Sequence, residues 1–317
     1  MPVIENSKVA IIGAGAVGTA IAYASLIRRS AREVALYDIV EAKVAAEVLD
    51  LAHGTQFTGS SRVTGGSDLA VIAGANIVVI TAGAKQRPGQ TRLDLAATNV
   101  EILRDLMPRL LEHAPDAVYL LVTNPCDVLA VAAQQISGLP ASRVFASGTV
   151  LDSSRLRWVL AERAGVSTSS VHAMIVGEHG DSEFALWSQA SIGPVPLLDW
   201  ERDGVPVFSR DELDSIASDV TNAAYAIIAG KGATNYAIGL SATRIIEAVL
   251  SDEKAILPVS SVLTDYRGVS GVALSVPSVV DSSGVSMVIP VPFNADEDAR
   301  FLASASALRA SLASLGL

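Results

Sequence analysis

An α/β fold with a doubly wound parallel sheet, followed by an α+β part, is predicted for this 317-residue chain by three features. Up to about Ser147, short Val/Ile/Leu-rich runs alternate with helical ones, the pattern of a parallel sheet covered on both faces. The first run leads into a glycine-punctuated turn that opens a helix. After Thr149 the regular alternation stops and a mixed pattern takes over. The chain is long enough for about two domains, placed at 1–147 and 148–317.

Taken in order, the strands of the first part are KVAIIGAG, EVALYDI, NIVVITAG, AVYLLVTN and RVFASG. Between them lie the helical stretches VGTAIAYASLI, AKVAAEVLDLA, LAATNVEILRDLMPRLLEH and DVLAVAAQQIS. In the second part a helix from about Asp152 to Ala164 leads into VHAMIVGEHG, and a Gly/Pro/Asp-rich loop follows. A long helical region from Arg210 to about Val249 carries a glycine break near Gly230–Gly232. Three strand-like runs (AILPVSSVL, GVALSVPSVV, GVSMVIPVPF) come next. Phe301, Ala305, Leu308, Leu312 and Leu315 then recur at helical spacing, so the last segment packs as an amphipathic helix.

Composition excludes several classes of partner. A net charge of −10 argues against nucleic acid and anionic membranes. The longest apolar runs are too short to span a bilayer, and MPVIENSKVAIIG does not have the form of a secretory signal. A single cysteine, Cys126, forbids an internal disulfide and fits a reducing cytoplasm. A site for an anion has to work against the overall field, which makes each positioned arginine informative.

Gly13 to Gly18 read GAGAVG between a strand and a helix, and Asp38 closes the next strand, EVALYD. This is the dinucleotide-binding context of the Rossmann fold. Gly13 permits the tight turn, Gly15 lets the backbone approach a pyrophosphate, and Gly18 brings the helix close to the strand. Asp38 accepts hydrogen bonds from a ribose diol and repels a 2′-phosphate, so the expected cofactor is NAD.

Three more segments carry chemistry. GEHGDSE places His179 in a polar turn directly after an apolar strand, where an imidazole suits proton transfer to or from an alcohol. DSSR puts Asp152 and Arg155 on one helical face, the first suited to orient a histidine and the second to grip a carboxylate in two parallel hydrogen bonds. TAGAKQRPGQTR sets Lys85, Gln86, Arg87 and Arg92 on a turn after a strand, with no acidic residue. Taken singly, each has a plainer reading: a surface helix pair, a turn histidine, a solvated arginine. No cluster with metal-ligand spacing stands out.

The order of these pieces resembles the lactate/malate dehydrogenase family over essentially the whole chain. The resemblance rests on GAGAVG with Asp38, TAGAKQRPGQTR, TNP at 123–125, GTVLDSSRLR, GEHGDSE and KGATNYAIG at 231–239. It implies an enzyme with His179 as acid/base, Asp152 as its orienting partner, and Arg92 polarising the reacting carbonyl. Arg155 would clamp the substrate carboxylate, Asn124 would lie near the carbonyl and the nicotinamide, and Thr234 would border the pocket. The implied NAD contacts are Gly13, Gly15, Val17, Gly18, Asp38, Thr81, Ala82, Gly83 and Asn124.

The resemblance also bears on substrate and regulation. Malate-specific members carry an arginine two residues before the Pro-Gly of the loop, to pair with a second carboxylate. Here that position is Gln86, which points to pyruvate and L-lactate, with malate or another 2-hydroxy acid as the alternative. A non-catalytic NAD-binding protein is disfavoured because His179, Asp152, Arg92 and Arg155 are all present. Arg157 and His172 match the residues with which allosteric bacterial members bind fructose 1,6-bisphosphate at a subunit interface. A cytoplasmic homo-oligomer, in all expectation a tetramer, follows from the same likeness.

Overall fold

The computed structural model describes residues 4–59, 61–84 and 92–317, with the Arg92 side chain outside the described set. The strands and helices of its first half are β1 Lys8–Ile12, α1 Ala16–Arg28, β2 Glu33–Tyr37, α2 Glu41–Gly54, β3 Arg62–Gly66, β4 Ile77–Ile80, α3 Arg92–His113, β5 Val118–Leu121, α4 Cys126–Ser137 and β6 Val144–Ala146. The second half contributes α5 Val150–Ala164, β7 Val171–His172, β8 Ile175–Val176, β9 Phe184–Ala185, β10 Ser191–Ile192, β11 Val195–Pro196, β12 Glu201–Arg202, β13 Val205–Pro206, α6 Arg210–Lys231, α7 Tyr236–Leu250, β14 Ala255–Leu257, β15 Ser260–Val262, β16 Ala273–Ser275, β17 Ser278–Asp281, β18 Gly284–Val288 and α8 Ala295–Ser314.

Strands β1 to β6 form a parallel sheet in the order β6-β5-β4-β1-β2-β3. The order reverses between β1 and β4, and the crevice beyond the carboxyl ends of strands at such a reversal is where α/β sheets take ligands. Apart from the edge strand β3, and from Lys8 and Glu33 at the starts of β1 and β2, the strands are apolar because both faces are covered. Ala10, Ile12, Val78 and Ile80 enter one core, while Val9, Ile11, Ile77 and Val79 enter the other. Each of the larger side chains contributes roughly 1.5–3 kcal/mol on burial.

Two features differ from the sequence-based expectation. The edge strand β3, RVTGG, escaped notice because it is polar, glycine-containing and mostly half-exposed. The sheet also continues past Ser147: β15 pairs antiparallel with β6, and β16 with β15, giving eight strands. The second half thus grows out of the first sheet and also covers it, α7 on one face and α8 on the other. Phe301, Ala305, Leu308 and Leu312 of α8 are buried as their spacing predicts.

A seam of buried hydroxyls joins α5 to this framework. Thr149 donates its hydroxyl to the Ile175 carbonyl at 2.6 Å, and its N–H donates to Ser275 Oγ at 3.1 Å. The Ile175 N–H donates to Ser153 Oγ at 2.9 Å. Gly177 and Ser275 exchange both backbone hydrogen bonds at 2.9 Å, so the segment after β8 is riveted to the sheet edge. Among the described residues, no helix is long and apolar enough to cross a membrane.

Ser153→Ala should lower the unfolding free energy by about 1–3 kcal/mol, because it strands the Ile175 N–H in a dry interior. A urea midpoint indistinguishable from the parent protein would show that the seam does not hold α5 to β8.

Candidate active site

The glycine turn after β1 has the form of a cradle. Gly13 has φ +103°, and a Cβ there would lie 2.9 Å from the Ala82 nitrogen. At Gly18 a Cβ would lie 1.9 Å from the Gly13 carbonyl oxygen, so α1 can approach β1 only without a side chain. A Cβ on Gly15 meets nothing within 4 Å. Gly15 therefore borders open space at the amino end of α1, where free N–H groups and the helix dipole favour phosphate.

Asp38 stands across this space. Its Oδ2 accepts from the Ala14 N–H at 2.9 Å and from Lys43 at 3.2 Å, and its Oδ1 accepts from the Val40 N–H at 3.0 Å. Burial opposes its ionisation, but the bonds from Val40, Ala14 and Lys43 win and hold its pKa below the usual carboxylate range. A fixed anion at the end of β2 and an open glycine cradle fit an NAD molecule. Val17 is half-buried in the first turn of α1, and Thr81 Oγ1 donates to the Ile12 and Gly13 carbonyls at 3.0 and 2.9 Å.

A chain of hydrogen bonds runs from this cradle towards His179. Thr123 Oγ1 donates to Ala82 O at 2.8 Å, and the Ala84 N–H donates to Asn99 Oδ1 at 2.7 Å. Asn99 Nδ2 donates to Asn124 O at 2.8 Å. The turn after β4, bearing Thr81, Ala82 and Gly83, is thereby fastened to the turn after β5, bearing Asn124. Three residues beyond Asn124, the buried Asp127 accepts the His179 N–H at 2.6 Å.

His179, Asp152 and Arg155 do come together. His179 Nδ1 lies 2.7 Å from Asp152 Oδ2, and Arg155 Nη1 donates to Asp152 Oδ1 at 2.6 Å. Asp152 is 2% exposed, Arg155 14% and His179 25%. Burial would drive the Asp152 carboxyl neutral, but His179 and then Arg155 hold its pKa low. Burial would likewise neutralise His179. The charge and hydrogen bond of Asp152, with Asp127 and Glu183 behind them, push its pKa up to about 9.

Of the other sequence-predicted residues, Thr234 is half-buried between α6 and α7, and Asn124 is exposed. Arg157 and His172 line one cavity of about 260 Å³ with Met174, Gln189 and Ile289, and Arg157 Nε donates to Ala173 O at 2.8 Å. Gln86 lies outside the described residues, as does the side chain of Arg92, the first residue of α3.

Three residues of the network had no assigned part in the sequence reading. Asn99 is 2% exposed on the face of α3 that carries Ala96, Val100 and Leu103. Asp127 is 2% exposed in the otherwise apolar opening of α4, and burial, opposed by Ser260 and His179, pushes its pKa up to about 6. A polar residue on an apolar helix face is the available signal for both. The third, Glu183, closes the GEHGDSE turn.

The cradle separates two kinds of glycine substitution. Gly18→Ala should lower thermal stability, whereas Gly15→Ala should leave it unchanged while weakening NADH binding, as followed by quenching of protein fluorescence. Equal NADH affinity for Gly15→Ala and the parent would exclude a phosphate beside Gly15.

Comparison with known proteins bears on the family. Residues 7–146 match the NAD-binding domain of lactate/malate dehydrogenase, and residues 149–315 match the α/β C-terminal domain of that family. An L-lactate dehydrogenase of Bifidobacterium animalis subsp. lactis is 49% identical over 99% of this chain and 98% of its own. One from a Synechococcus species is 45% identical over 95% of this chain and 97% of its own. The crystal structure of a minor L-lactate dehydrogenase from Enterococcus mundtii superposes with a TM-score of 0.93 at 41% identity, covering 98% of each chain. The chain belongs to the lactate/malate dehydrogenase family.

Proposed function

We propose that the chain is an NAD-dependent L-lactate dehydrogenase that interconverts pyruvate and L-lactate, with His179 as its acid/base. The observation that carries this reading is the His179–Asp152–Arg155 cluster, linked to the glycine cradle through the hydrogen-bonded turns after β4 and β5 and the opening of α4. The nicotinamide, when bound, supplies the hydride in one direction and accepts it in the other. With Nδ1 committed to Asp152, Nε2 of His179 is left to give a proton to the carbonyl oxygen of pyruvate, or to take one from the hydroxyl of lactate. Asp152 stabilises the imidazolium and fixes the ring.

Arg155 spends one nitrogen on Asp152, and its other N–H groups remain for the substrate carboxylate. Arg92 stabilises negative charge as it grows on the carbonyl oxygen, and Asn124 and Thr234 border the reacting group. Residues 1–147 hold the cofactor and 148–317 most of the substrate. Gln86 sets the choice of substrate, because a neutral amide offers no partner to the second carboxylate of oxaloacetate.

The same reading extends to assembly, place and regulation. Tyr23, Ile27, Leu51, Tyr236 and Leu240 line a groove between α1, α2 and α7, with Phe57 87% exposed at the end of α2. Apolar surface of this extent suits a second copy, and we place the enzyme as a tetramer. The reduced, buried Cys126 suits the cytoplasm, and pyruvate reduction suits glycolysis ending in fermentation. Fructose 1,6-bisphosphate binds Arg157 and His172 and favours the high-affinity state.

NADH oxidation measured side by side should be faster with pyruvate than with oxaloacetate, and preference for oxaloacetate would overturn the substrate assignment. Gln86→Arg should raise turnover of oxaloacetate at the expense of pyruvate. Added bisphosphate should shift the pyruvate saturation curve to lower concentration in the parent protein, and Arg157→Leu should abolish that shift. A curve that bisphosphate leaves in place at mildly acidic and at neutral pH rules the effector site out.

A further inference from the structure

Glu183 is a carboxyl of the site that the proposed chemistry leaves without a task. Its side chain is 3% exposed, and its Oε2 lies 3.9 Å from Nδ1 of His179, the nitrogen already bonded to Asp152. A carboxylate oxygen of Asp152, a ring nitrogen of His179 and a carboxylate oxygen of Glu183 all fall within 4.8 Å of one another. Glu183 Oε1 is buried with no hydrogen-bond partner. The groups facing it among the described residues are Asp152 and Arg155 from α5, His179 from its own turn, and Thr221 from α6.

A dry carboxyl oxygen without a donor is a poor place for negative charge, and Asp152 close by makes it worse. Two carboxylates at this separation tolerate joint ionisation only beside cations; Arg155 is always charged, so His179 is the cation whose charge can vary. The charge states are therefore linked. An ionised Glu183 holds the proton on His179, and a neutral His179 favours the protonated Glu183.

We propose that Glu183 is a positioning residue of the acid/base pair, a second buried carboxyl that extends towards alkaline pH the range over which His179 keeps its proton. The inference rests on the reading of His179 as acid/base. Burial first, then the charge of Asp152, pushes the Glu183 pKa up to about 8, below the value of about 9 for His179. As pH rises the two groups titrate as a coupled pair, in part by ionisation of Glu183. The anion so formed then holds His179 in its acid form.

The sign of the effect follows. Pyruvate reduction needs charged His179, so its kcat/KM is full below the His179 pKa and falls as pH rises through it. Glu183→Gln removes the anion, lowers that pKa, and should move the alkaline limb down by about one pH unit. Lactate oxidation needs neutral His179, so its acid limb moves down as well; its rate should rise severalfold above the Glu183 pKa of about 8, where the anion has formed, and stay unchanged at neutral pH. A merely structural loss would slow both directions and move neither limb.

Both limbs unmoved in Glu183→Gln, with His179→Asn inactive, would overturn this inference alone. Pyruvate turnover surviving in His179→Asn overturns the acid/base reading and this inference with it. Histidine NMR of the unmodified protein gives an independent check, since the chain has four histidines and the His179→Asn spectrum identifies the resonance. The His179 ring signal should titrate in two steps, and a single step speaks against the linkage whatever the variant does.

Discussion

Asp152 is the charge on which the rest of the site depends, and it is an expensive one to bury. A carboxylate 2% exposed loses most of its hydration, at an effective cost of several kcal/mol. Two cations offset this from opposite oxygens, His179 on Oδ2 and Arg155 on Oδ1. Its place in the first turn of α5 adds the favourable end of the helix dipole. The same arrangement serves chemistry. The oxygen beside the imidazole cannot move without disturbing the oxygen that aims the guanidinium, so the proposed proton transfer and carboxylate binding share one reference point.

That reference point is useful only if α5 and the His179 turn keep their separation, and the two are 27 residues apart in sequence. The hydroxyl seam answers this. Thr149 and Ser153 bind both polar groups of Ile175, two residues before Gly177, and Ser275 ties Gly177 to the edge of the sheet. Ser304 of α8 accepts the Glu178 N–H at 2.8 Å from the other side. Asp127 then takes the His179 N–H itself. Because the seam is buried, each bond that fails exposes an unpaired group, which makes the geometry stiff rather than merely favourable.

How far this was legible in the sequence depends on whether a residue acts locally or through a distant partner. Val9 to Ile12 and Ile77 to Ile80 announce buried parallel strands because apolar runs have no other use there. Gly13, Gly18 and Asp38 are readable since strand, turn and helix are contiguous. The edge strand β3 was not, because one flank and much of its surface stay wet, and its residues carry no apolar pattern. Nor was the antiparallel joining of β15 to β6, since pairing partners over 110 residues apart leave no periodicity to see. Asn99 and Asp127 show the same limit. Each is an odd polar residue in an apolar face, and only the fold says what it holds.

Charge balance gives the last step. The protein is acidic overall, and its proposed substrate is a carboxylate, so every ionised carboxyl near Arg155 weakens the attraction that brings the substrate in. Asp152 is unavoidable, because without it a half-buried imidazole would be neutral at physiological pH. Asp127 faces the backbone of His179 and is needed to hold it. Glu183 is the carboxyl whose charge can be spared, and burial beside Asp152 keeps it neutral while His179 is ready to donate. The anion then appears only as the solution turns alkaline, when the imidazolium most needs a second partner. A site that must hold a proton and an anionic substrate together gains from a carboxyl that stays neutral until then.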